Sequence, residues 1–401
     1  MDTGNNAWVL TSSALILFMT PGLAFFYGGM VRSKNVLGML MQNVFAMGII
    51  SVIWALLGFT LAFGGDASLI GNLDYAFLDD VATAPDLVPN GMSFFAFQMM
   101  FAVITPALIT GATADRLKFS SYALFIALWS LLVYSPVAHW VWDGGGWIFD
   151  SGALDFAGGA AIHINAGIAA LAVVAVIGQR RGHGAEPMPP HNLPLTVLGT
   201  GILWFGWFGF NAGSALAADG IASQALVNTH LAAAAAMLGW LIAERIKTGH
   251  ATTLGACSGA VAGLVAITPC AGFVGDISPI IIGLVAGVVC YMALFIKNAL
   301  RLDDSLDVIA VHLVGGFVGT ILLGLFADEE VNALGDGLFY GGGGELLKDQ
   351  FVAAFGVMAF SGIVTYLIAL AIDRTVGLRV TGDDELTGLD QSQHAESAYQ
   401  A

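Results

Sequence analysis

The chain has 401 residues, of which 57% are hydrophobic and only 10% charged, and its mean hydropathy is +0.81. A soluble domain carries roughly a quarter charged residues, so this composition excludes a water-soluble globular protein. The net charge of −16 also argues against nucleic acid as a partner, because like charges repel.

Uncharged apolar runs recur along the chain. The stretch NVLGMLMQNVFAMGIISVIWALLGFTLAF, from Asn35 to Phe63, exceeds the roughly 20 residues a helix needs to cross a bilayer. In chain order, spans are predicted at roughly 8–31, 36–64, 93–113, 119–141, 157–178, 194–215, 226–246, 254–271, 277–297, 305–327 and 350–373. The fold class is therefore an all-α polytopic membrane protein with eleven transmembrane helices. No basic n-region or cleavage site marks the N-terminus, so no signal peptide is expected.

Basic residues set the orientation, because Lys and Arg collect on the cytoplasmic side. Arg32 and Lys34 follow the first span, Arg116 and Lys118 the third, and Arg180 and Arg181 the fifth. Arg245 and Lys247 close the seventh, Lys297 and Arg301 the ninth, and Arg374 and Arg379 the eleventh. Only Lys348 breaks the alternation. The N-terminus is expected outside and the C-terminus inside, in a multi-pass protein of the cell (plasma or inner) membrane. Asp66, Asp74, Asp79, Asp80, Asp86, Asp143, Asp150, Asp219, Asp276, Asp328, Glu329 and Glu330 then fall in outer loops. They make either an acidic mouth that concentrates cations or an acidic surface tuned for solubility or a salty habitat.

Cys257, Cys270 and Cys290 lie in or beside spans without metal or disulfide spacing, and read as small core side chains. The glycine-rich stretch 335–344 follows no strand and carries no Walker lysine, which excludes a phosphate loop. No metal and no cofactor is expected. His139, His183, His191, His230, His250 and His394 receive no role.

Two pairs of segments repeat. FAVITPALITGA (101–112) and GLVAITPCAGFVG (263–275) share an Ile-Thr-Pro step in the third and eighth spans. ALDFAGGAAIH (153–163) and SLDVIAVH (305–312) both run from Leu-Asp to a histidine, in the fifth and tenth. Spans 1–5 thus resemble spans 6–10, with halves at roughly 8–180 and 194–327. An odd number of spans per half inverts the second copy, a transporter architecture whose path lies near the midplane between the halves.

His163 and His312 hold corresponding places in this repeat. An ionisable group within a span is a functional candidate by default, because burying it costs several kcal/mol or needs a partner. Two neutral imidazoles can share one hydrogen bond and still present groups to a pore. Each histidine stands about two turns from the start of its span, so the two meet only if both helices begin recessed. Asp155 and Asp307 are expected to cap those recessed helices through free backbone N–H groups.

With VWDGGG (141–146), GALDFAGG (152–159), HINAG (163–167), GWFGFNAGSA (206–215) and GACSGAVAGLVAITP (255–269) assembled, the chain resembles the ammonium transporter (Amt/Mep/Rh) family, closest to its Amt branch. The likeness runs from PGLAFFYGGMVRSKN (21–35) to VGLRVTGDDELTGLD (376–390). It implies a homotrimer with one pore per subunit, and ammonium or ammonia, with methylammonium as an analogue, as substrate. It further implies that Trp142, Ser214 and Phe101 form an outer site for NH4+, and that Phe101 and Phe210 stack as a gate beneath it. His163 and His312 would form a hydrogen-bonded pair in the pore, with Trp207 along its wall. Asp155 would support the outer site from below. The family usually reads Trp-Gly-Gly-Gly where Asp143 here follows Trp142.

These residue types suit the chemistry. NH4+ and K+ are similar in size, but only NH4+ has N–H donors and a proton to lose. An indole face attracts a cation by about 0.5–2 kcal/mol, and a serine hydroxyl accepts a hydrogen bond. Past a phenyl gate, desolvation favours the neutral form of an amine. The main domain is taken as 1–379. The polar, acidic tail 380–401 is expected either to be a disordered end or, as the resemblance implies, to pack on a neighbouring subunit and meet a PII-type regulatory protein. An ammonium sensor of the same fold is the alternative; a sensor would be expected to carry a fused signalling domain, and 22 residues follow Arg379. A hydrolase using Asp155 and His163 is remote, since no nucleophile motif or HExxH metal site is present.

Overall fold

The computed structural model describes residues 2–85 and 87–399; Asp86, one of the predicted outer acids, lies outside them. Backbone polar groups in lipid must be satisfied within the segment, which makes long helices the available solution. In chain order they are α1 (Thr3–Met30), α2 (Ser33–Phe63), α3 (Gly91–Thr113), α4 (119–142), α5 (Gly159–Ile177), α6 (Leu193–Gly213), α7 (Gly220–Thr248), α8 (Thr253–Ile267), α9 (Ser278–Ala299), α10 (Ile309–Phe326) and α11 (Glu345–Thr375). Two short helices follow, α12 (Gly382–Thr387) and α13 (Leu389–His394). Among the described residues ten helices are long and apolar enough to cross a membrane, while α8 is apolar but shorter. Val52, Ile296 and Ile363 remain exposed on α2, α9 and α11, as a surface facing lipid requires.

Several helices carry a wide π turn. The one in α4, Ser130–Tyr134, lies just ahead of Pro136. A proline has no N–H for the carbonyl four residues back, so the ladder loosens there. The repeated Ile-Thr-Pro step behaves differently in its two copies. Thr105 and Thr268 each bond back one turn, to the carbonyls of Phe101 at 2.6 Å and Leu264 at 2.7 Å. α3 nevertheless continues through Pro106, whereas α8 stops at Ile267 and residues 268–273 form turns. The helix in the predicted eighth span therefore ends at Ile267, before the roughly placed boundary at 271.

α1 lies along α6, and α7 packs against both α8 and α9. The first pair approaches closely: a Cβ on Gly199 would stand 2.2 Å from the Phe26 nitrogen. Small residues permit such backbone contact between helices in lipid, where apolar burial gives no extra attraction.

Basic residues from alternate connections converge at one end. Arg116 is fully buried and donates to the Gly178 carbonyl at 2.9 Å, Ser305 Oγ at 2.8 Å and the Asp303 carbonyl at 2.6 Å. Arg32 and Arg180 meet on Asp115 at 2.8 and 3.6 Å, and Arg180 also pairs with Asp303 at 2.7 Å. The connections after α1, α3, α5 and α9 are thus tied together. The tail joins them in an ordered form. Arg379 pairs with Glu385 at 2.7 Å, Glu385 accepts from the Arg181 N–H at 2.6 Å, and Asp390 accepts from the Gly38 N–H at 2.8 Å. Of the two expectations for this segment, disorder fails for residues 380–399, which fold onto their own chain.

Candidate functional site

The site is built on the start of α5. Asp155 Oδ1 accepts the N–H groups of Gly158 at 2.8 Å and Gly159 at 2.6 Å, and Oδ2 those of Ala160 at 2.8 Å and Ala161 at 3.1 Å. One carboxylate therefore satisfies the free donors of a helix that begins inside the protein. Burial raises the Asp155 pKa, and these N–H groups oppose the rise. Gly158 has φ of 116°, a conformation that glycine adopts without steric cost. The main-chain carbonyl of Asp155 also accepts the Trp142 indole N–H at 3.0 Å.

The corresponding cap on α10 is Asp304, which corrects the expectation for Asp307. Asp304 accepts from the N–H groups of Val308 at 3.1 Å and Ile309 at 2.7 Å. Asp307, at φ of 64°, instead pairs with Lys297 of α9. It stands next to the first free N–H groups, with no loop between for its carboxylate to reach back over them. Asp304 precedes His312 by the same eight residues that separate Asp155 from His163. The shared Leu-Asp strings concealed this register. Burial pushes Asp304 up to about 6.

Both histidines sit on π turns, Gly159–Ile164 and Ile309–Val314. Their Nδ1 atoms lie 3.2 Å apart, with rings stacked at 25° and centroids 5.3 Å apart. The two rings meet where the starts of α5 and α10 pack against each other. Between two neutral rings one Nδ1 donates and the other accepts, leaving one Nε2–H and one bare Nε2. His163 Nε2 is buried and unpartnered among the described residues.

Aromatic rings continue the column. Trp207 stacks on His163 at 5.5 Å and 25°, and its indole N–H is held by Thr268 Oγ1 at 2.9 Å. Phe210 lies 6.2 Å from His163 and 4.5 Å from Phe101, and Phe101 lies 5.9 Å from Trp142. Phe101 and Phe210 are each 1% exposed. Above them opens a recess of about 120 Å³ lined by Phe94, Phe97, Phe101, Trp142, Phe156 and Ser214. Ser214 Oγ donates to the Phe210 carbonyl at 2.9 Å and keeps lone pairs for a ligand.

Every residue named for the outer site, the gate and the pore is thus brought into one column, with Asp307 left apart from it. The Asp143 carboxylate turns back to accept the Gly145 N–H at 3.0 Å, and the neighbouring Trp142 ring stays within 5.9 Å of Phe101. Phe97, one turn before Phe101, was legible from helical spacing and was missed; its ring lies 4.9 Å from that of Phe101. His139, given no role, is buried with its ring nitrogens on the carbonyls of Ala62, at 2.9 Å, and Ala67, pinning the loop after α2. No group of three or more metal-ligating side chains occurs among the described residues.

Residues 7–399 match the profile of the Ammonium Transporter Family. The chain belongs to this family. An ammonium transporter of Mycobacterium tuberculosis is 51% identical over 99% of the chain and 90% of the relative. Ammonium transporter Amt1 of Archaeoglobus fulgidus is 47% identical, with all of both chains covered. The crystal structure of Candida albicans Mep2 superposes with a TM-score of 0.92 at 37% identity, over all of this chain and 91% of that one. As a member of the Ammonium Transporter Family, the chain is a multi-pass membrane protein of transport rather than an enzyme.

Proposed function

We propose that this chain takes NH4+ from the outer face of the cell membrane and conducts it inward as NH3, with or without a separately carried proton. The observation that carries this reading is the His163–His312 contact, Nδ1 to Nδ1 at 3.2 Å, sealed beneath Phe101 and Phe210.

The cation is recruited at the recess, where the faces of Trp142 and Phe101 attract it by about 0.5–2 kcal/mol and Ser214 accepts an N–H. Past the phenyl pair the surroundings are apolar, and an amine is more stable there without its charge. NH4+ can shed a proton and K+ cannot. The histidine pair then supplies one donor and one acceptor to the neutral molecule. Trp207 holds His163 in plane, and Asp155 holds both Trp142 and the start of α5.

The reading includes eleven crossings, an inverted repeat of α1–α5 and α6–α10, the N-terminus outside and the C-terminus inside. Convergence of the basic connections after α1, α3, α5 and α9 supports it, since such residues collect on the cytoplasmic side. α8 spans about 22 Å at 1.5 Å per residue, short for a full crossing, and the turns after it extend the path. Resemblance to the family supports a homotrimer and a PII-type partner at the face that carries the tail.

Currents from purified protein in liposomes test the function, at several pH values and with K+ as competitor. A saturable NH4+ current that K+ neither carries nor blocks is expected. A K+ current of equal size, or neither a current nor an ammonium-driven pH change inside the liposomes, refutes the reading.

A further inference from the structure

The recess above the phenyl pair has a second polar side chain besides Ser214. Gln98, on α3 one turn below Phe94, lines the recess and is 8% exposed. Its Oε1 is buried and accepts no hydrogen bond among the described residues. Of the other buried amides whose oxygens lack a partner among the described residues, Asn43, Asn165 and Asn211 are anchored through nitrogen, to the Met39 carbonyl, the Ala161 carbonyl and Thr229 Oγ1, while Gln42 is not but lies outside the recess lining. The Gln98 amide has no such anchor.

A buried amide oxygen left without a donor is disfavoured, and a ligand that brings N–H groups removes the penalty. The other polar groups around the recess are already engaged. The Trp142 N–H is taken by the Asp155 carbonyl, the Ser214 hydroxyl proton by the Phe210 carbonyl, and the Asp155 carboxylate by four backbone N–H groups. What remains for a ligand is mostly acceptors: aromatic faces, the Ser214 oxygen and the Gln98 amide, whose oxygen accepts and whose Nε2–H2 can donate. Such a set fits a small donor-rich cation. None of the lining side chains is a carboxylate, so no opposite charge beside the ligand would stop it from losing its proton.

We infer that Gln98 Oε1 is a hydrogen-bond acceptor for ammonium in the outer recess, and so a specificity-determining residue of this transporter. The last side-chain torsion of glutamine is broad and two-fold, so a half-turn presents the oxygen wherever the N–H points. The inference rests on the reading of the recess as the ammonium entry site.

The test is ammonium current against concentration for Q98M, Q98L and Q98E in liposomes, with the wild type and W142L as references. Met keeps the shape and loses the acceptor; Glu keeps both. Q98M is expected to raise the half-saturating ammonium concentration about tenfold with the maximal current held within about twofold, the size of one hydrogen bond to a charged group. Q98E is expected to keep half-saturation at or below the wild-type value. Q98L repeats the Met result if Q98M does not fold. Half-saturation unchanged in Q98M or Q98L while W142L weakens it overturns the assignment of Gln98 alone. A wild type with neither an ammonium current nor an ammonium-driven pH change inside the liposomes overturns the underlying functional reading instead.

Discussion

Trp142 hangs from Asp155: its indole N–H bonds to that residue's carbonyl at 3.0 Å, while the carboxylate of the same residue caps the helix that carries His163. One aspartate therefore sets both the aromatic wall of the outer recess and the start of the pore helix. Asp155→Ala would leave buried N–H groups without acceptors. Loss of a helix cap costs about 0.5–2 kcal/mol, and burial adds to it. We expect a lower unfolding temperature and loss of most ammonium current, with Asp155→Asn intermediate in both. Thermal unfolding in detergent and liposome currents measure the two effects. Wild-type behaviour of the alanine variant would refute the dual role.

Replacing His163 and His312 together with Leu removes the donor and the acceptor from the column and leaves its apolar volume filled. Transport is expected to stop or to lose its preference for ammonium over K+, with oligomer size on gel filtration unchanged. Wild-type currents and selectivity in the double variant would refute the role of the pair.

Trp142→Leu removes a cation–π contact worth about 0.5–2 kcal/mol, or roughly 2- to 30-fold in affinity. A concentration series of currents should show half-saturation rising within that range. No change would show that the indole is packing only.

Asp304 is expected to give stability a pH dependence. Burial, its first cause, raises its pKa to about 6 from an unfolded value of roughly 3.9. A group raised in the fold contributes stability that is present below its unfolded pKa and lost as pH rises through the folded one. The wild type should therefore gain stability between pH 7 and pH 5 relative to Asp304→Asn, whose amide does not titrate. Unfolding temperatures of both proteins across that window decide the matter, and parallel curves would exclude Asp304 as the titrating group.

Truncation after Arg379 removes Glu385 and Asp390, which hold Arg181 and Gly38. Lower uptake and loss of PII binding are expected. Unchanged uptake together with unchanged PII binding would count against a regulatory tail.

Much of this protein is written along the chain. Hydropathy marks the spans because lipid admits only backbones that satisfy themselves, and alternate clusters of Lys and Arg mark the connections that Arg116 and Arg180 later tie together. The paired histidines stand out because an ionisable group in an apolar run needs a reason to be there. The register of the second cap was not legible: two Leu-Asp strings match by letters, but only folding shows that the carboxylate able to reach free N–H groups is Asp304. The same holds for Pro106 and Pro269, which share an Ile-Thr-Pro step, yet one lies inside a helix and the other beyond its end. Trp142, Phe101, Phe210 and Gln98 come from three helices. Nothing local brings them together; packing of small residues such as Gly199 at the helix contacts does, and so the recess exists only in the folded chain.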